Sequence, residues 1–264
     1  MDEHDTDPTD TGNRPARRTD DGVPELVGRL TDDTVEPAER RRLLARLTMQ
    51  LTRSARQAGP RAVAGGQWLT DVVLQVVPHL TIRDLDTLRD HYGGLTGDTL
   101  ADALVRNASR TTAAVGAAGG ALAAVEWAAP PTLLTAPVQL AAETLAVIAV
   151  EVKMVAELHE AYGHGVRGTL TYRMTEYTTA WAHQRGIDLA SLRPGAGALV
   201  GAATRKQIRH RVVRRFGRGF STLGPLLTGA ALGAALNRRA TLKLADKVRK
   251  DLRKFRVIDG ELIR

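Results

Sequence analysis

Forty consecutive residues, 111–150, carry only two charges, Glu126 and Glu143, and contain fourteen alanines. So long a nearly uncharged stretch must be covered by other protein or by lipid, because water is an unfavourable neighbour for that much apolar surface. Pro130-Pro131 divides it, and Pro137, just after Thr135, is placed where proline begins a helix. The reading is a helical hairpin, with arms over about 109–129 and about 136–162 joined by a proline turn. In the second arm Ala141, Leu145, Ile148, Val152, Val155 and His159 fall on one stripe, and Leu140, Val147, Met154 and Leu158 on another. Gln139, Glu143, Lys153, Glu157 and Glu160 leave only a narrow polar side. A helix apolar around most of its circumference sits at the centre of a bundle or lies in lipid.

The flanking sequence is also helical in pattern. Pro24–Leu30 suits a short helix, and Leu43, Leu44, Leu47 and Leu51 line one face of a helix over 38–57. Gly59-Pro60 and Gly65-Gly66 interrupt that pattern. Trp68 to Val77, read alone, suits a strand, but no partner with alternating periodicity exists, so it is taken as helix. Thr81-Ile-Arg-Asp84 resembles a capping box for a helix ending at Gly93-Gly94. Asp98 opens another helix through Ala101, Leu104 and Val105. A polar stretch holding Tyr172, Tyr177 and Trp181 follows the hairpin and closes near Gly186. Further helices are expected over 197–217 and from Pro225 through Arg238-Arg239 into 243–256. The fold class is therefore all-α: a single helical bundle over 24–256 around the Ala/Gly-rich hairpin. Met1–Gly22, with seven acids, three arginines and few large apolar side chains, reads as a disordered tail, and 257–264 as a short C-terminal one. The acidic start lacks the apolar core of a secretory signal.

Charge is unevenly placed. Residues 205–264 hold 17 basic and 4 acidic side chains, whereas 1–204 hold 20 and 25, within an overall net charge of +8. Arg205, Lys206, Arg209, Arg214 and Arg215, with Arg238, Arg239, Lys243 and Lys247, form the candidate contact with an anionic surface. A basic run of this kind is most often a solvated face. Pro225–Asn237 would be about 20 Å long as a helix, too short for a ~30 Å hydrocarbon core but long enough for shallow insertion. Each hairpin arm approaches the minimum for a span, yet its alanines, its glycines and the two glutamates make insertion marginal.

Catalytic signatures are missing. Cysteine is absent, which excludes thiolate metal sites, disulfides and a cysteine nucleophile. His159-Glu160-Ala-Tyr-Gly-His164 spaces its histidines at i and i+5, off the one-turn spacing that a zinc hydrolase motif needs. No phosphate-cradling glycine loop and no nucleophile elbow occurs. No catalytic residue, metal ligand or cofactor site follows. Glu126 and Glu143 are read as exposed on a bundle face or partnered by arginine. Gly116-x-x-x-Gly120 and Gly229-x-x-x-Gly233 lie in the two least charged segments and are expected to pack those segments together.

From the Gly116–Gly120 segment, the long apolar helix closing in Glu157…Tyr162-Gly163, and Pro225…Gly229-Ala-Ala-Leu-Gly233-Ala-Ala-Leu-Asn237-Arg238-Arg239, the chain resembles the EcsC family of bacterial proteins over roughly residues 97–256. His164-Gly165 stands where that family often has an acidic residue after its Tyr-Gly pair. The resemblance implies a helical, membrane-associated protein and transfers no catalytic residue, because the family has no agreed activity.

Three functions then compete. The first is a non-enzymatic helical protein bound to an anionic membrane surface or a membrane protein at the cytoplasmic face of the plasma membrane. The second is nucleic-acid binding through the basic C-terminal helices, against which stand only ten aromatic residues and no reading motif. The third is a helical enzyme for which no site can be named.

Overall fold

The computed structural model describes residues 22–65, 67–126, 135–187 and 225–254. The described chain is built of α1 (Val23–Leu30), α2 (Pro37–Ala58), α3 (Pro60–Gly65), α4 (Gln67–Val76, running into a 3-10 turn Val77–His79), α5 (Leu85–His91), α6 (Gly97–Glu126), α7 (Thr135–Ala161), α8 (Leu170–Arg185) and α9 (Pro225–Lys254). No strand occurs among the described residues, so the all-α reading holds.

Local chemistry sets the ends. Pro37 opens α2 after an extended Glu36, and Gly59, at φ 84°, closes it in a conformation that costs an L side chain energy. The polar stretch around Tyr172, Tyr177 and Trp181 is a helix, α8, because Thr169 Oγ1 accepts from Tyr172 N and Gly186 takes the left-handed C-terminal position. The expected capping box at Thr81–Asp84 is corrected. Residues 81–84 are non-helical, and Asp84 is itself the N-cap, its carboxylate accepting from Thr87 N at 2.9 Å. The helix thus begins three residues later than a box starting at Thr81 requires. The buried Arg40 returns from α2 to cap the end of α1, donating to the carbonyls of Leu30 (2.7 Å), Asp32 (2.9 Å) and Val35 (3.1 Å).

A second correction concerns the hairpin. The helix opening near Asp98 and the first arm are one continuous 30-residue helix, because nothing between Leu104 and Thr111 breaks the backbone ladder. The second arm, α7, is the central element and touches α1, α2, α4, α5, α6, α8 and α9. Leu145, Val152, Val155 and Leu158 of α7 are buried with Leu43, Leu44, Leu47 and Leu51 of α2 in one core. The tails 1–21 and 257–264, the proline turn, the helix expected over 197–217 and its basic run lie outside the described residues.

α6 and α9 run antiparallel along one another. Asp98 meets Arg253, Asp102 meets Arg249, Thr112 meets Thr241, and Gly120 meets Gly229. The shared length, 98–120, is about 33 Å at 1.5 Å per residue. Glycine permits the approach: a Cβ on Gly120 would lie 2.5 Å from the Gly229 carbonyl, and one on Gly116 would lie 2.6 Å from the carbonyl carbon of Gly233. The four glycines therefore sit at one helix–helix crossing.

Candidate functional site

α9 has two distinct faces. Thr241, Leu244, Ala245, Val248 and Leu252 are buried against α6, α7 and α8. Opposite them Leu232, Leu236, Arg239, Lys243, Lys247 and Lys250 are exposed and occupy a strip roughly 100° wide, given 3.6 residues per turn. Exposed Asp246 is the one acid within that strip. Leu232 and Leu236 are 47% and 43% exposed, so two large apolar side chains precede the cations on the same face. Arg238 is also exposed but lies about 100° round the helix from Arg239, outside the strip. Among the described residues Arg238, Arg239, Lys243 and Lys250 have no ion-pair partner, and Lys247 donates only to the Gln184 carbonyl at 3.3 Å.

Of the nine cations read from the sequence as an anionic-surface contact, the structure gathers Arg238, Arg239, Lys243 and Lys247 on this one helix. Arg205, Lys206, Arg209, Arg214 and Arg215 lie outside the described residues. Lys250 extends the stripe and was not among the nine. Its signal was the seven-residue step from Lys243, which returns to the same face of a helix.

Behind the exposed face runs a buried polar seam. Glu151 of α7 is 1% exposed and accepts from Trp181 Nε1 and Arg185 Nε, both at 3.0 Å, and from Arg185 Nη2. Thr241 Oγ1 of α9 lies 3.0 Å from both Glu151 and Thr112 Oγ1. Glu143 is 5% exposed and accepts from Asn237 Nδ2 at 3.1 Å, while Gln139 donates to the Gly119 carbonyl at 2.9 Å. Of the two expectations for Glu143, exposure on a bundle face is corrected by its burial. Its carboxylate fills the space beside Gly119, where a Cβ would lie 2.9 Å from the Glu143 Cδ. The side chain of Glu126 lies outside the described residues. Glu151 went unnoticed in the sequence because Val150 and Val152 flank it and its partners lie 30 to 90 residues away.

One end of α9 is held by ions. Arg249 reaches Asp102 at 2.6 Å, Arg253 reaches Asp98 at 2.7 Å, and the Tyr162 hydroxyl donates to Asp98 at 2.6 Å. Those bonds, from Tyr162 first and then Arg253, draw the Asp98 carboxyl down to about 2. Desolvation and its bond to Asp98 push the Tyr162 phenol up.

His159 lies on α7 and His164 just beyond its end. Gly163, at φ 80°, follows the end of α7, and His159 Nδ1 is held by the Val155 carbonyl at 2.7 Å. Burial lowers the His159 pKa. No group of three or more metal-ligating side chains converges among the described residues. No described helix is long and apolar enough to cross a membrane. Comparison of the chain with protein-family models, curated proteins and solved structures found no match.

Proposed function

We propose that this is a non-enzymatic helical protein that lies on an anionic membrane surface through α9, at the cytoplasmic face of the plasma membrane, in keeping with its resemblance to the EcsC family. One observation carries the reading: the exposed stripe from Leu232 to Lys250, with leucines at one end and, apart from Asp246, cations without an ion-pair partner among the described residues along the rest. On this face the cations can meet the headgroups along most of the helix while the two leucines enter the interface at one end. Each cation near such a surface contributes about 1 kcal/mol. The stripe is straight and its polar backing is internally satisfied, so the face can dock without rearranging the bundle.

Sedimentation with vesicles tests this. The protein is expected to co-sediment with phosphatidylglycerol-containing vesicles at low salt, to stay free of pure phosphatidylcholine vesicles, and to be released near 1 M salt, where the Debye length is ~3 Å. Reversing Arg238, Arg239, Lys243 and Lys247 to glutamate is expected to abolish binding. Failure of the wild-type protein to bind anionic vesicles at any salt overturns the proposal. Salt-sensitive binding to duplex DNA in its place would establish the nucleic-acid reading.

A further inference from the structure

The cations of α9 fall into two groups. Arg249, Arg253 and Lys254 each meet a carboxylate of α6 or of α9 itself. Arg239, Lys243, Lys247 and Lys250 are exposed and have no ion-pair partner among the described residues, and the bond from Lys247 to the Gln184 carbonyl leaves its charge uncompensated. Arg239, Lys243 and Lys247 recur every fourth residue, a step of about 6 Å along the helix at 1.5 Å per residue.

The densest run of acids in the sequence lies at the opposite end of the chain. Residues 1–10 hold Asp2, Glu3, Asp5, Asp7 and Asp10 and no Lys or Arg. Glu3, Asp5 and Asp7 are two residues apart, so in an extended chain they share one face at a step of about 6.6 Å, given ~3.3 Å per residue. An extended segment 3–7 and the α9 stripe would thus carry opposite charges at nearly the same pitch. Reach does not limit their meeting. The 14 residues between Asp7 and Gly22 span up to about 50 Å, and α1, which follows Gly22, packs on α7 as α9 does. Ion pairs on a surface are individually weak, but a tether of this kind holds the acids near the helix at roughly millimolar concentration. Met1 is the one large apolar side chain of residues 1–10, so Leu232 and Leu236 have little to pair with there. An anionic bilayer meets leucines and cations together, and the acids match the cations alone.

We propose that the acidic segment Glu3–Asp7 lies along Arg239, Lys243 and Lys247 of α9 in the free protein, and that an anionic membrane surface displaces it. The α9 stripe then has two alternative occupants, one of them built into the chain. The displacement rests on the membrane reading above; the contact within the chain does not.

The chain has no cysteine, so His4→Cys supplies a single site for a nitroxide label on the full-length protein. At low salt the label is expected to broaden the amide signals of residues 239–250 in preference to the other described helices, and to lose that effect near 1 M salt. Lys243→Glu with Lys247→Glu should abolish the broadening. A spin-labelled chain mixed with a separate isotope-labelled one should show none. Glu3→Gln, Asp5→Asn and Asp7→Asn together are expected to tighten binding to phosphatidylglycerol vesicles about fivefold, the factor that follows when the docked form makes up about four-fifths of the free protein. Asp10→Asn, Asp20→Asn and Asp21→Asn together remove the same charge and should change binding much less. Broadening that is absent, evenly spread or transferred between separate chains overturns the contact and leaves the membrane reading standing, as do equal gains from the two triple variants. Failure of the wild type to bind anionic vesicles overturns the membrane reading, and broadening confined to α9 would then uphold the contact without the displacement.

Discussion

At the scale of single residues, the α6–α9 crossing separates two glycines that look equivalent in sequence. A Cβ on Gly120 would sit 2.5 Å from the backbone of Gly229, which can yield only by moving a helix, whereas one on Gly229 would sit 3.6 Å from the Gly120 carbonyl, an ordinary contact. Gly120→Ala is therefore expected to cost about 1–3 kcal/mol through overpacking. Gly229→Ala has no clash to offset its gain in helix propensity, so it is expected to be neutral or to stabilise by up to ~1 kcal/mol. Urea denaturation of the two variants checks this, and equal losses would mean that the helices are not in this register. The asymmetry arises because each Cβ projects in its own direction from the crossing, and spacing along one chain carries no record of that direction.

At the scale of elements, α9 is fastened by chemistry that only the folded chain brings together. Glu151 is bound by Trp181 and Arg185 of α8 and by Thr241 of α9, so one carboxylate joins three helices. Glu151→Ala would leave Arg185 without its partner in a mostly buried position and is expected to cost about 3–5 kcal/mol, read as a fall in urea midpoint. Had Glu151 been exposed, the loss would stay within ~0.5 kcal/mol. The elements themselves were largely legible: the leucine spacing of α2, the prolines opening α2 and α9, and the apolar circumference of α7 each prescribe a local structure. Less legible were positions decided by distant partners. The sequence reading left Glu143 either exposed on a bundle face or partnered by arginine, and its burial depends on partners as distant as Asn237, 94 residues on. It also began α5 at Thr81, since the capping-box pattern was present and only the backbone shows Asp84 doing that work. For the candidate site, the α9 cations were visible as a basic stretch. Their alignment with Leu232 and Leu236 depends on one unbroken helix from Pro225 to Lys254.

Across the whole molecule, stability is expected to fall toward acid in two windows. His159 has its pKa lowered from 6.5 by burial, so below about that pH the unfolded chain binds a proton before the folded one does, and stability declines. The urea midpoint should therefore drop between about pH 7 and pH 5, and His159→Gln should flatten that slope. Asp98, held at about 2 against an ordinary 3.8, contributes stability that is complete above pH 3.8 and is lost as the pH falls toward 2. Its half-exposed position lets solvent screen that second contribution. A midpoint that stays level from pH 7 to pH 5 would show that His159 takes up its proton equally in both states.

Thr112 and Thr241 touch in the finished core although 129 residues separate them. At ~5–20 residues per second of synthesis, α6 leaves the ribosome on the order of ten seconds before the helix that covers it. For that interval the nascent chain carries a bare glycine groove, and Glu151 waits without the Thr241 hydroxyl that later reaches it. The seam that packs the mature bundle is thus left open for as long as α9 is still to be made.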